Sequence, residues 1–303
     1  MSAARYMLDE THTRLPKERG DPNHYILGQV NGHHVVIGSL PAGYQGTVSA
    51  ATVATHMGRT FPSITLRLLV GIGGGVPSRK VDIRLGDVAV SMPAGTYGGV
   101  VGYDLGKQTP DGFERKGFLC PPPTEWLGAL TIMKSDHRTM PNKVSTYISQ
   151  MLAKYPKLTV YRRPPAEEDV LFSADYNHVD YNDTCENCDR SKAVARPARD
   201  PPTESLIHYG LIASGNRVMK DATERDKISQ DSKGAICFEM EAGGLMNDFH
   251  CVVIRGISDY ADSHKNDDWH AYAAASAAAL AKELLSYMDP PAQVVGTAAK
   301  LGM

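Results

Sequence analysis

Short apolar runs alternate with longer segments of helical periodicity along most of this chain. Five apolar runs have the length of buried strands and lie at residues 66–70, 85–91, 207–214, 235–238 and 251–257. Five segments have the length and spacing of helices and lie at residues 47–59, 124–135, 143–155, 221–230 and 269–287. Strands that alternate with helices are typical of α/β proteins, so we predict an α/β fold.

The beginning of the chain departs from this alternation. Residues 1–10 have the pattern of a helix that is already under way, with no strand before it. Asn31 and Gly32 stand between two β-rich runs, and Asn-Gly in that position is a strong signal for a hairpin. The hairpin predicts antiparallel pairing in addition to the α/β units.

A long segment at residues 161–204 is rich in Pro, Asp, Arg and Asn and has little periodicity, which predicts an irregular insertion. The residues after Pro290 are predicted to be disordered. We therefore expect one domain over residues 1–288 and a tail over residues 289–303.

Composition and charge narrow the classes of partner. The chain has 303 residues, 42% of them hydrophobic and 22% charged, which suits a large buried core. A net charge of −2 without a basic run makes nucleic acid an unexpected partner. The longest candidate for a membrane span, residues 271–285, is broken by Lys282 and Glu283 and is shorter than about 18 residues. Five scattered cysteines and the lack of an apolar signal core predict an intracellular, cytoplasmic protein.

Acidic residues follow the last two predicted strands. Glu239 and Glu241 come where one strand should end, and Asp259 ends the next. Because ligands collect at the carboxyl ends of strands in open α/β sheets, we expect two adjacent strands to gather these acids at one rim. Such acids can hold sugar hydroxyls and protonate a leaving group. Taken singly, each acid could instead be a helix-start residue or a loop cap.

Two further motifs follow predicted strands. Residues 71–77, GIGGGVP, are interpreted as a loop in which Gly73 and Gly74 let the backbone approach a ligand. The alternative is a tight structural turn, and neither a dinucleotide fingerprint nor a phosphate loop is present. Ser214-Gly215-Asn216 could present Asn216 to a planar base, or could be simple turn and cap chemistry.

Cys185 and Cys188 have the spacing of a metal-binding pair, but a structural zinc needs four ligands. His178, Asp183 and Asp189 lie nearby in sequence, and no second CxxC motif exists. We therefore expect free thiols or a local loop clasp, and no metal or cofactor.

Three motifs together resemble the nucleoside phosphorylase/nucleosidase superfamily, closest to its fungal branch: FEMEA…RGISDYAD at 238–262, IASGN at 212–216 and VGIGGGV at 70–76. The superfamily includes purine nucleoside and uridine phosphorylases and methylthioadenosine/adenosylhomocysteine nucleosidases. The resemblance covers nearly the whole chain. It implies a three-layer α/β/α sandwich around a mixed, partly closed sheet, a homo-oligomer, and cleavage of the N-glycosidic bond of a nucleoside.

The resemblance also implies roles for individual residues. Glu241 and Glu239 hold the ribose hydroxyls, and Met240 packs on the sugar. Asp259, preceded by Ser258, protonates or hydrogen-bonds purine N7 as the base leaves.

Val218 and Met219, just after the SGN motif, then line the base. A purine anion leaves poorly at neutral pH, so a general acid accelerates its departure. Cleavage through an oxocarbenium-like sugar follows the logic of glycoside hydrolysis.

Two departures from the superfamily pattern bear on the reaction. Its phosphorylases bind phosphate through an Arg and a Ser or Thr at the positions that Leu69 and Ile72 occupy in this chain. The side chains of these two apolar residues cannot donate a hydrogen bond to phosphate. Backbone N–H groups of Gly73–Gly75 leave phosphorolysis open. The superfamily's first strand, and a Glu that activates water, would lie before Met1.

These arguments predict a purine nucleosidase that releases free base and ribose. A phosphate-dependent phosphorylase is the alternative within the same fold. A non-catalytic domain for nucleoside sensing or interaction is the alternative from another class.

Overall fold

The computed structural model describes residues 1–179, 184–201 and 204–290. Its helices are α1 Ser2–Tyr6, α2 Thr47–Thr60, α3 Thr124–Asp136, α4 Val144–Lys154, α5 Ala222–Asp231, α6 Met246–Phe249 and α7 His270–Leu285. Its strands are β1 Glu10–His12, β2 Ile26–Val30, β3 His33–Ile37, β4 Leu68–Gly75, β5 Val88–Ser91, β6 Val100–Gly102, β7 Gly106–Thr109, β8 Gly112–Arg115, β9 Ile207–Gly210, β10 Ile212–Ser214, β11 Cys237–Glu239 and β12 Val252–Asp259.

Seven strands form a mixed central sheet in the order β6-β10-β11-β4-β12-β5-β9. The long strands β4 and β12 lie in the middle and run parallel to each other. β11 runs antiparallel to β4, and β5 runs antiparallel to β12. The predicted α/β fold with a mixed sheet is confirmed.

The sheet curls strongly, because one extended segment contributes to both of its sides. Residues 207–214 were predicted as one strand, but Leu211 separates β9 from β10. β9 is an edge strand beside β5, whereas β10 lies between β6 and β11. Continuous chain can serve both places only if the sheet bends round towards closure, as the partly closed sheet predicted above requires.

The glycine run does not form the predicted loop; β4 continues through it to Gly75. The glycines are needed because neighbouring strands and side chains approach closely. A Cβ at Gly73 would lie 2.6 Å from Sγ of Cys237, and one at Gly74 would lie 2.8 Å from Oδ1 of Asp259. Glycine therefore makes room within the sheet, and the loop interpretation was wrong.

The predicted hairpin is confirmed in β2 and β3, where Asn31 and Gly32 have φ of 48° and 82° at the turn. Positive φ at both central residues is what a tight Asn-Gly hairpin requires. The helix predicted over residues 1–10 ends at Tyr6 instead. The following residues form β1, which pairs with β2 and completes a small three-stranded sheet.

The alanine-rich helix α7 packs directly on β4 and β12 and forms much of the core. A Cβ at Gly256 of β12 would lie 1.8 Å from the carbonyl O of Ala273, so helix and sheet touch backbone to backbone. Small residues on both elements permit this close approach. Within the described part of the chain, no helix combines the length and the apolar character that a membrane crossing needs.

The described residues of the segment predicted as an irregular insertion contain only short turns of 3₁₀ helix and an isolated bridge. Tyr181, Asp183 and the predicted tail after Pro290 lie outside the described residues. One carboxylate fastens the end of the insertion to the sheet. Buried Asp87, just before β5, accepts hydrogen bonds from Nη1 of Arg199 (2.6 Å), the backbone N of Leu206 (3.0 Å) and Nε2 of His208 (2.8 Å).

Burial favours the neutral form of Asp87, but His208 and Arg199 outweigh it and hold the pKa of this carboxyl below its usual value.

Candidate active site

A cavity of about 750 Å³ lies along β4. Helices α1, α2 and α7 and strand β3 contribute apolar parts of its wall, and charged residues stand beside the glycines of β4. A mainly apolar cavity with a few convergent polar groups is the usual form of a small-molecule site.

The first charged group consists of two glutamates held by one arginine. Arg255 of β12 is only 4% exposed, and its Nη2 bonds to Oε2 of Glu239 and lies 3.1 Å from Oε2 of Glu241. Burial disfavours the guanidinium charge, but the two carboxylates outweigh it and raise the pKa of Arg255. The group therefore carries one buried positive charge against two negative ones.

The two glutamates differ in their freedom. Oε2 of Glu239 also accepts from the backbone N of Glu241 and of Ala242, each at 3.0 Å, and its side chain has no exposed surface. The side chain of Glu241 is 18% exposed and makes a long contact of 3.4 Å to the backbone N of Gly46. Glu241 is thus the carboxylate with capacity for a ligand.

Asp259, at the end of β12, forms the second charged group. Its Oδ2 accepts from Oγ of Ser258 (2.8 Å) and from Nζ of Lys265 (2.7 Å), and its Oδ1 accepts from the backbone N of Ala261 (2.9 Å). Asp259 is buried, whereas the side chain of Lys265 is 27% exposed. Three donors therefore converge on this one carboxylate.

The sequence predicted that two adjacent strands carry these acids, but β4 lies between β11 and β12, and β11 runs antiparallel to β4. Their register still brings them together. Gly74 of β4 pairs with Phe238 on one side and with Asp259 on the other. The acids therefore face one cavity across a glycine strand, and adjacent carboxyl ends are not the cause.

The other candidate residues fall into two sets. The first set lines the cavity: Gly73, Gly74, Val218, Met219, Met240 and Ser258. The second set does not line it and is engaged elsewhere: Oγ of Ser214 accepts from the backbone N of Gly243 (2.8 Å), and Oδ1 of Asn216 accepts from the backbone N and Oγ1 of Thr47 (each 3.0 Å). Asn216 thereby caps the start of α2.

Solved structures with the same architecture identify the fold. The 5′-methylthioadenosine/S-adenosylhomocysteine nucleosidase of Neisseria meningitidis, in complex with methylthio-immucillin-A, aligns with a TM-score of 0.56 at 15% identity over 95% of this chain and 96% of that chain. Futalosine hydrolase of Helicobacter pylori aligns with a TM-score of 0.57 at 16% identity over 95% and 93%. This chain has the nucleoside phosphorylase/nucleosidase fold.

Sequence relatives of this nucleosidase-fold chain extend the comparison, although no protein-family model matches it. A nucleotide-binding leucine-rich repeat (NLR)-like protein of Hyaloscypha variabilis is 44% identical over 293 residues, which are 96% of this chain and 28% of that protein. The chain thus spans less than a third of this fungal relative's length, and the relative fits the predicted fungal branch.

Shorter matches link the nucleosidase fold to named nucleosidases. The methylthioadenosine/adenosylhomocysteine nucleosidase of Haemophilus ducreyi is 28% identical over 113 residues, 31% of this chain and 49% of that protein. ATP nucleosidase Cap17 of Escherichia coli is 28% identical over 99 residues, 31% of this chain and 20% of that protein.

Two charged residues of this nucleosidase-fold site were missed by the sequence argument. Arg255 interrupts an otherwise apolar strand, VVIRGIS, and a charge in a buried run is a signal that could have pointed to the site. Lys265 lies in an ordinary polar loop, and only the fold brings its ammonium to Asp259.

The irregular insertion positions the residue next to Asp259. The hydroxyl of Tyr260 donates to Asp169 and accepts from Nη1 of Arg196 at 2.8 Å. Nη1 of Arg225 donates to the backbone O of the same tyrosine at 2.8 Å. The insertion thus holds the end of β12 from outside the sheet.

Proposed function

We propose that this chain is a purine nucleosidase that hydrolyses the bond between C1′ of the sugar and N9 of the base. One observation carries the proposal: Glu239 and Glu241, bound by Arg255, face the same cavity as the Asp259–Lys265 pair, and β4 lies between the two sets of acids. A nucleoside fits such a site with its hydroxyls at one charged group and its base at the other.

In this reading the sugar binds at Glu241. Its carboxylate accepts from the ribose hydroxyls, and such charge-assisted hydrogen bonds are stronger than neutral ones. Glu239 is fully engaged by Arg255 and by backbone N–H groups, so its part is to set the position of its neighbours. Met240 packs on the sugar, and the nearby carboxylates favour the positive charge that develops on the ring.

The base binds at Asp259, with Val218 and Met219 against its flat face. As the C1′–N9 bond breaks, its electron pair stays on the purine, and Asp259 delivers a proton to N7. Lys265, 2.7 Å from Oδ2, holds the Asp259 carboxyl in place. The oxygen of water forms the new bond to C1′, and the proton that this water releases to solvent replaces the one that Asp259 gave to N7, which completes the hydrolysis.

Water rather than phosphate is the proposed nucleophile. Leu69 and Ile72 line the cavity and offer no donor to a phosphate, whose burial without donors is unfavourable. At Gly74 the strand β4 is paired on both sides, so its backbone groups are directed into the sheet. Both observations support hydrolysis over phosphorolysis.

The test is incubation of the purified chain with inosine, adenosine, 5′-methylthioadenosine and ATP, each with and without phosphate. The last two substrates are chosen because relatives carry those names. Free sugar released regardless of phosphate supports the proposal. Sugar 1-phosphate formed only with phosphate replaces it by the phosphorylase alternative.

A ligand-sensing domain is the second candidate, and the NLR-like relative is the observation that favours it. Calorimetry with adenosine distinguishes it from the enzyme, because tight binding without any product would support sensing. The proposal also includes a homo-oligomer and a cytoplasmic location, which the five free cysteines fit. Light scattering tests the oligomeric state.

A further inference from the structure

Away from the cavity, three side chains with metal-binding atoms meet in the irregular insertion. A ring nitrogen of His178 and the Sγ atoms of Cys185 and Cys188 all lie within 4.8 Å of one another. The backbone N of Cys188 donates to the carbonyl O of Cys185 at 3.2 Å, so a tight turn brings the two thiols together. Cys188 is buried, and the other two residues are half-buried.

The ring of His178 is oriented by a backbone carbonyl. Its Nε2 lies 2.9 Å from the O of Thr184, and a carbonyl can only accept, so Nε2 is the donor in this bond. Metal-binding histidines in proteins commonly show this arrangement, in which one ring nitrogen donates to a carbonyl and the other binds the ion.

We propose that His178, Cys185 and Cys188 bind a zinc ion. Two thiolates and an imidazole are ligands that zinc favours over calcium or magnesium. Zn–S bonds of about 2.3 Å and Zn–N bonds of about 2.0–2.1 Å bring the ligand atoms of a tetrahedron to about 3.5–4 Å from one another. The three side chains need only a small contraction to reach that geometry, and a water molecule supplies the fourth of the four ligands that zinc needs.

The site would fasten the insertion to the segment that follows Asp259. The backbone N of His178 donates to Oγ of Ser263 at 3.0 Å, and Sγ of Cys185 lies 3.8 Å from the carbonyl O of His264. The ring of His264 stacks on Phe172 at a centroid distance of 4.1 Å. These contacts end directly before Lys265, so the ion would act as a structural clamp beside the proposed active site.

The experiment measures metal content, which does not depend on the proposed nucleosidase activity. The full chain is purified under reducing conditions without chelator, analysed by mass spectrometry for metals, then stripped and titrated with Zn²⁺ and with Co²⁺. We expect one zinc per chain and, with Co²⁺, the absorption band of a thiolate-bound ion. Cys185→Ser and Cys188→Ser should each lower zinc affinity by at least about 10-fold.

His178→Ala should weaken zinc binding and change the Co²⁺ spectrum, which shows that the imidazole is a ligand. Cys120→Ser is the matched control, because Cys120 is also half-buried but its backbone N bonds to Asn247 elsewhere. That variant should bind zinc like the unaltered chain. A reduced chain without zinc affinity, a Cys185–Cys188 disulfide in place of metal, or unchanged binding in the cysteine variants would each overturn the proposal.

Discussion

The two charged groups of the cavity neutralise their carboxylates in different ways. Glu239 and Glu241 share the guanidinium of Arg255, which comes from the middle of a central strand and is 4% exposed. Asp259 is paired with Lys265, which comes from a loop and whose side chain is 27% exposed. Arg255 is therefore fixed inside the sheet, whereas the partly exposed Lys265 side chain can move into solvent. A carboxylate with a releasable cation, such as Asp259, suits proton transfer. A carboxylate with a buried cation suits the positioning of a ligand.

The most severe test removes the acid of the releasable pair. Asp259→Asn keeps the size and two of the hydrogen bonds of the side chain but cannot deliver a proton, so kcat should fall by about 10²–10⁴-fold. Substrate affinity should change little. Steady-state kinetics with the best substrate of the panel gives both values, and an unchanged kcat would remove Asp259 from its role.

Breaking the group around Arg255 should instead affect folding. Arg255→Met leaves two carboxylates without their buried cation, and loss of one partner of such a group typically costs about 3–5 kcal/mol in the free energy of unfolding. Urea denaturation measures this change. The double variant with Glu239→Gln should recover part of the loss, and no recovery would contradict the ion-pair explanation.

A smaller effect is expected where the arginine passes over the glycine strand. A Cβ at Gly71 would lie 2.2 Å from Nη1 of Arg255, so Gly71→Ala should displace the guanidinium and cost about 1–3 kcal/mol. Gly128→Ala in α3 is the matched control, because no atom lies within 4 Å of its Cβ position. The control should be neutral or stabilising by up to about 1 kcal/mol in the same urea experiment.

The smallest effect is expected from the releasable cation itself. Lys265→Met should lower kcat by about 10-fold, less than loss of the acid, because Asp259 then loses the ammonium that holds its carboxyl in place but remains as the proton donor. Steady-state kinetics of the two variants check this order. A loss in Lys265→Met as large as that in Asp259→Asn would contradict it.

Local signals predicted the elements of this molecule but not their neighbours. Asn31-Gly32 specifies its turn by itself, and the periodicity of residues 124–135 and 143–155 specifies helices at those places. The glycines of β4 were wrongly predicted to form a loop. Glycine is needed there because Cys237, Asp259 and Arg255 approach the strand closely from other elements. No local pattern contains that information.

The candidate site shows the same division. The acids could be found from their places at strand ends, and the resemblance supplied their roles. The order of the strands could not be found, because β4 intervenes between β11 and β12 through long-range pairing. Arg255 could have been suspected as a charge in a buried strand, whereas Lys265 meets Asp259 only through the path of a loop.

Because of the Asp87 cluster, the stability of the contact between the insertion and the sheet depends on pH. In the folded chain Arg199 and His208 hold the pKa of Asp87 below its unfolded value, so their contribution is fully present above about pH 4. It is lost as the pH falls through the folded value, because the unfolded chain then binds the proton more readily. Protons therefore compete with Arg199 for one carboxylate, and strong acid weakens the attachment of the insertion to the sheet.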